Sequence, residues 1–129
     1  RNGITNVAYP AFVDGTAIGR SGYLSQVNRR NELGKLMMQS PFLDRTIVNR
    51  MWSHFLGYGF TKPIDDLGPH NPTSYPELLD QLAVDFRENS YDLKQLIVWI
   101  TMSQPYQLSS KITKQNESDD PTLGETPKF

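Results

Sequence analysis

The chain holds two histidines, and one of them, His70, follows the adjacent carboxylates Asp65 and Asp66. Two carboxylates and an imidazole in one short stretch could share protons as an acid–base set. With further oxygen donors such as Glu77 they could converge on a hard cation. The same residue types have an ordinary use, because an aspartate ahead of a turn accepts from backbone N–H groups or pairs with an arginine. The expectation is a loop tied down by Asp65 or Asp66 pairing with Arg50 or Arg45, with no metal bound. Arg50 has a second chemical use, since its planar guanidinium matches an anionic sugar or a carboxylate; the alternative is a semi-buried hinge between helices. His54 stands four residues after Arg50, at the edge of an apolar stripe. There it is either a half-buried packing residue or a ligand. Arg50, His54, Asp65, Asp66 and His70 are therefore the candidate binding residues, and no catalytic residue is assigned.

Other chemistry finds less support. The chain has no cysteine, which removes disulfides, thiolate metal sites and a CxxCH haem attachment. No cofactor is expected within these residues. Ser103, Ser109 and Ser110 lack a G-x-S-x-G elbow and read as caps and turn residues. Tyr58, Tyr75 and Tyr106 could stack on a sugar but are scattered. Gly57-Tyr58-Gly59 follows a helical pattern rather than a strand and lacks a third glycine, so it reads as a helix stop and not a phosphate cradle.

The elements that would position these residues are helices. An apolar face of Leu33, Leu36 and Met37 predicts a first helix from about Asn28 to Gln39, stopped by Ser40-Pro41. Ile47, Val48, Met51, Trp52, Phe55 and Leu56 recur at helical spacing and predict a second from about Leu43 to Leu56. A Pro-, Gly- and Asp-rich connection over 61–75 leads to Ser74, a candidate cap with Glu77 as its partner. The third helix then runs to about Glu88, with Leu78, Leu79, Leu82, Ala83 and Phe86 inward and Asp80, Gln81, Asp85 and Arg87 outward. Asp92 with Gln95 signals a fourth, from Leu93 to about Ser103, ended by Pro105. That helix is apolar on nearly every side, which predicts that Val98, Trp99 and Met102 form a face needing cover from elsewhere or from self-association. Residues 1–27 read as an extended lead-in with one short strand, and 111–129 as a polar tail.

Composition limits the classes. A length of 129 residues suits one domain. No apolar run approaches the roughly 20 residues of a membrane span, and no signal peptide is visible. With no initiator Met, the chain reads as a segment of a longer protein. The net charge of −1 divides into +5 over residues 1–62 and −6 over 63–129. No Lys/Arg cluster interleaved with aromatics accompanies the basic half, so nucleic acid is not an expected partner; the halves instead neutralise each other in part.

Several blocks in series resemble one family. They are Val48-Asn49-Arg50-Met51-Trp52-Ser53-His54, Gly57-Tyr58-Gly59-Phe60, Asp65-Asp66-Leu67, Pro76-Glu77-Leu78-Leu79-Asp80, Tyr91-Asp92-Leu93-Lys94 and Ser103-Gln104-Pro105-Tyr106-Gln107-Leu108-Ser109-Ser110. In order and spacing, over about Arg29 to Ser110, they are similar to the planctomycete PSD-type domain of unknown function, found C-terminal to planctomycete cytochrome c-type domains. The stretch Met38 to Arg45 is shorter than the family's usual turn, and Gly34 stands where a helix former is common. The family domain also continues past Phe129. The resemblance implies export to the periplasm or cell surface, with any haem carried in another domain of the parent. It implies no activity and transfers no catalytic residue.

The sequence thus predicts an all-α fold, a small array of about four helices with an irregular N-terminal arm and a polar C-terminal tail. Its segments are a lead-in over 1–27, a helical domain over 28–110 and the tail over 111–129. The expected function is a non-catalytic structural or interaction module whose partners are the remaining domains of the same polypeptide. The alternative is an enzyme or ligand-binding domain with its site around the 61–75 loop.

Overall fold

The computed structural model describes residues 10–18 and 28–109. The expectations for the rest of the lead-in and for the 111–129 tail lie outside the described residues. The chain divides into two units, Arg1–Ser40 and Pro41–Phe129. All regular elements among the described residues are helical, so the fold is all-α.

In the first unit, residues 10–18 form a tight reversal closed by a single antiparallel bridge between Ala11 and Ala17. Phe12 N–H donates to Thr16 O at 2.8 Å, Gly15 N–H to Phe12 O at 2.9 Å, and Thr16 N–H to Asp14 Oδ1 at 2.8 Å. Gly15 lies at φ +87°, a conformation open to glycine without a Cβ clash. Helix α1 (Arg29–Gln39) starts where Asn28 Oδ1 accepts from Asn31 N–H at 3.2 Å. None of its residues is buried, and Leu33, Met37 and Met38 are exposed.

The second unit is built around α2 (Pro41–Leu56). This helix opens two residues before the start at Leu43 expected from sequence. Proline suits a first turn because the N–H it lacks has no intrahelical partner there. Gly57, at φ +85°, stops it. Helix α3 (Pro76–Glu88) corrects one expectation: Ser74 is not its cap. The residue before the helix is Tyr75, left-handed at φ 48° and giving no side-chain cap bond. Ser74 N–H instead donates to Phe60 O at 2.7 Å, closing the connecting loop on itself. Leu79, Ala83 and Phe86 of α3 are buried as expected, whereas Leu78 is exposed.

A Schellman turn joins α3 to α4 (Leu93–Met102). Ser90 N–H donates to Arg87 O and Tyr91 N–H to Phe86 O, both at 3.0 Å, and the Tyr91 ring stands edge-on to Phe86. The left-handed position usually given to glycine is held by Ser90 at φ 56°, with Tyr91 following at φ 60°. Asp92 Oδ1 then caps α4, accepting from Lys94 and Gln95 N–H at 2.8 and 3.2 Å. Pro105 does not simply end the helical run, for it lies in the first turn of a short α5 (Gln104–Gln107). Gln107 Nε2 ties that turn back to Thr101 O at 2.6 Å.

Helix α2 packs most extensively on α3 and also touches α4 and α5. The core is Val48, Trp52, Phe60, Leu79, Ala83, Phe86, Leu96 and Ile100, with Phe55, Leu82 and Trp99 partly buried against it. Both tryptophans thus belong to one core, Trp52 inside and Trp99 at its margin. On α4 the expected uncovered face holds at Val98 and Met102, which are exposed, and not at Trp99.

Truncating Trp52, which stacks on Phe60 with centroids 4.9 Å apart, should cost about 3–5 kcal/mol in denaturant titration; a loss typical of a surface position would contradict the packing. At Ser90, replacement by glycine removes a left-handed penalty of about 1–2 kcal/mol. Ser90→Gly should therefore raise stability by a sizeable part of that amount, and a destabilised variant would refute the strain.

Candidate functional site

The loop that carries Asp65, Asp66 and His70 is fastened to α2 through one residue. Asn49 is fully buried. Its Nδ2 donates to Thr61 Oγ1 at 2.9 Å and to Ile64 O at 2.8 Å, while its Oδ1 accepts from Phe60 N–H at 2.6 Å. Both amide hydrogens and the carbonyl are thereby used on the incoming loop. The chain comes so close at Gly59 that a Cβ there would sit 2.6 Å from Asn49 Oδ1. In the sequence Asn49 falls between the stripe positions Val48 and Met51, and periodicity alone does not reveal this role. The available signal was a carboxamide inside an apolar stripe, which has to find partners when buried.

One residue further along α2, Arg50 Nη2 pairs with Asp65 Oδ1, the tie expected from sequence. Both side chains are more than half exposed, so the pair contributes little stability and chiefly orients the loop. Arg45 goes elsewhere, to Asp80 of α3. Asp66 accepts from Gly68 N–H at 3.1 Å through Oδ1 and faces His70 Nε2 at 2.9 Å through Oδ2. The Gly68 N–H, and after it the His70 ring, hold the Asp66 carboxyl below its ordinary range. Asn71 Nδ2 donates to Asp66 O at 2.8 Å. The imidazole folds over Gly68: a Cβ there would lie 2.6 Å from the ring, which would have to swing out into solvent.

The candidate residues therefore form two pairs, Arg50–Asp65 and Asp66–His70, and not one convergent centre. Glu77 is exposed in the first turn of α3. His54 is exposed, with its ring edge-on to Phe55 at 5.2 Å. Among the described residues, no group of three or more His, Asp or Glu is placed to hold a metal ion. Ser103 Oγ donates to Ile100 O at 2.6 Å, a turn role. Tyr106 meets Phe55 edge-on at 6.1 Å. Chemically, the arrangement offers an exposed imidazole beside a carboxylate and otherwise a set of loop-holding bonds.

A second polar cluster joins α2 to α3. Asp44, buried in the first turn of α2, meets Arg87 Nη2 through Oδ2 at 2.5 Å. Arg87, expected to face solvent, is drawn inward by this carboxylate. Arg45 Nε approaches Asp80 Oδ1 at 2.9 Å but off the N–H direction, so that contact is Coulombic and not a directed hydrogen bond.

A small helical array whose polar residues mostly fasten a loop defines a class by architecture rather than by reaction. The family assignment agrees: residues 29–125 match PSD1, described as a protein of unknown function (DUF1553), and the chain belongs to that family. No curated protein and no solved structure matches it.

If Asn49 is the fastening, Asn49→Ala should cost about 1–3 kcal/mol for each core-facing group it strands. Asn49→Asp should also destabilise, because a carboxylate cannot donate to Ile64 O. Equal denaturation midpoints for variant and parent would show that the loop holds without it.

Proposed function

We propose that this chain is a non-catalytic structural or interaction module within a larger, exported, cytochrome-associated protein. The observation that carries this reading is that the chemically capable residues are engaged with one another. Asn49 is spent on three loop atoms, Arg50 on Asp65, and Asp66 on Gly68 and His70. Such bonds fix a surface shape and leave few groups for a substrate. The family resemblance supports the setting: a periplasmic or cell-surface location, partners among the remaining domains of the same polypeptide, and any haem housed in one of those domains. No helix among the described residues is long and apolar enough to cross a membrane. Self-association through the exposed apolar residues of α4, Val98 and Met102, belongs to the same reading.

One observation favours the alternative, an enzyme or ligand-binding domain at the 61–75 loop. His70 is three-quarters exposed and oriented by Asp66, as an acid–base imidazole would be. Elemental analysis separates the two readings. The chain, equilibrated with calcium, manganese and zinc and then desalted, should retain only substoichiometric metal. His70→Ala should leave the melting midpoint and the parent protein's function unchanged. One equivalent of metal that vanishes in Asp66→Ala, or a parent disabled by His70→Ala without loss of stability, would overturn the non-catalytic reading.

A further inference from the structure

On the α2–α3 side of the second unit, a cleft of about 310 Å³ opens beside the Asp44–Arg87 pair. Pro41, Ala83 and Val84 give it apolar walls, and Val84 is half exposed. Its charged lining has three carboxylates, Asp44, Asp80 and Glu88, against the guanidiniums of Arg45 and Arg87. The Asp44 side chain is 5 % exposed. Arg87 occupies its Oδ2, whereas Oδ1 has no hydrogen-bond partner among the described residues. A buried acceptor left unmet is costly, and a carboxylate oxygen is the costliest kind.

We infer that this cleft receives the side chain of a lysine presented by a partner protein, with its ammonium on Asp44 Oδ1. The inference rests on the interaction-module reading and adds the chemistry of the contact. A single free oxygen selects the head group. A guanidinium binds best as a fork across both carboxylate oxygens, and Arg87 already holds one of them; a compact ammonium needs only one acceptor. The walls select the stem, because a four-carbon chain can lie along Ala83 and Val84 while its charged end reaches inward. The excess of carboxylates over guanidiniums also favours a cation. Oδ1 is shielded from solvent, so entry displaces a wall side chain. Arg45, a quarter exposed and held to Asp80 by charge without a directed bond among the described residues, is the wall side chain that has to give way. An ordered water on Oδ1 is the competing occupant.

The test is a titration of the isotope-labelled full chain, followed by amide NMR at constant ionic strength. The probe is Nα-acetyl-lysine N-methylamide. Saturable shifts at Asp44, Ala83 and Val84 in the millimolar range are expected. The Nε-acetylated probe, which keeps the stem and loses the charge, should shift them at least tenfold less, and the arginine analogue should bind more weakly than lysine. Asp44→Asn should abolish saturation. Because that change also releases Arg87, Val84→Trp serves as a second variant, filling the cleft from an exposed position and blocking the probe in a folded protein. Linear shifts, an unchanged response in Val84→Trp, or equal binding of the acetylated probe would leave water as the occupant and overturn the inference. Binding of butylammonium without binding of the lysine amide would also overturn it, by assigning the cleft to a free amine. None of these failures touches the module reading, which falls only to a metal or a catalytic imidazole at the 61–75 loop.

Discussion

The carboxamide of Asn49 is the constraint on which the second unit depends. A loop that runs across a helix brings backbone N–H and C=O groups into contact with apolar side chains, where they must be paired or lose solvation. Asn49 answers for Phe60 N–H and Ile64 C=O together, and for the Thr61 hydroxyl between them. With these groups satisfied, Phe60 can enter the core and stack on Trp52. The loop then returns at Ser74 to Phe60 O, which delivers α3 to its place beside α2. One polar residue inside an apolar stripe thus sets where the next helix begins.

The loop chemistry follows from that anchoring. Asp65, Asp66 and His70 are displayed on a segment held from below, and their bonds run sideways along it or back to Arg50. A binding centre needs groups aimed at a common point, with capacity left over once the fold is satisfied. Here most of that capacity goes into the loop's own shape. At the α2–α3 cleft the balance differs, for Asp44 is buried by the packing and yet retains an oxygen without a hydrogen-bond partner among the described residues.

What could be read from the sequence was whatever depends on local periodicity. The stripe of α2 and the Asp92 cap of α4 follow from spacing alone, and the structure contains them. The Arg50–Asp65 tie was one of a few pairings that charge and proximity allowed. The features that escaped turn on backbone angles or on distant partners. Ser74 is not the cap because Tyr75, in a left-handed conformation, takes the position before the helix, which no capping pattern encodes. Arg87 reads from spacing as solvent-facing because its partner, Asp44, lies on another helix. The role of Asn49 is not legible, since its partners, two main-chain groups and the Thr61 hydroxyl, belong to a loop without periodicity.

The close approach at Gly59 has an evolutionary consequence. Positions 49 and 59 are locked together by a gap too small for a methyl group. A side chain at 59 evicts the carboxamide, and a bulkier residue at 49 evicts the loop. Single steps at either site pass through an impaired intermediate, so substitutions there have to arrive as a pair. Within the family, the two positions should drift as one character, inherited or exchanged jointly.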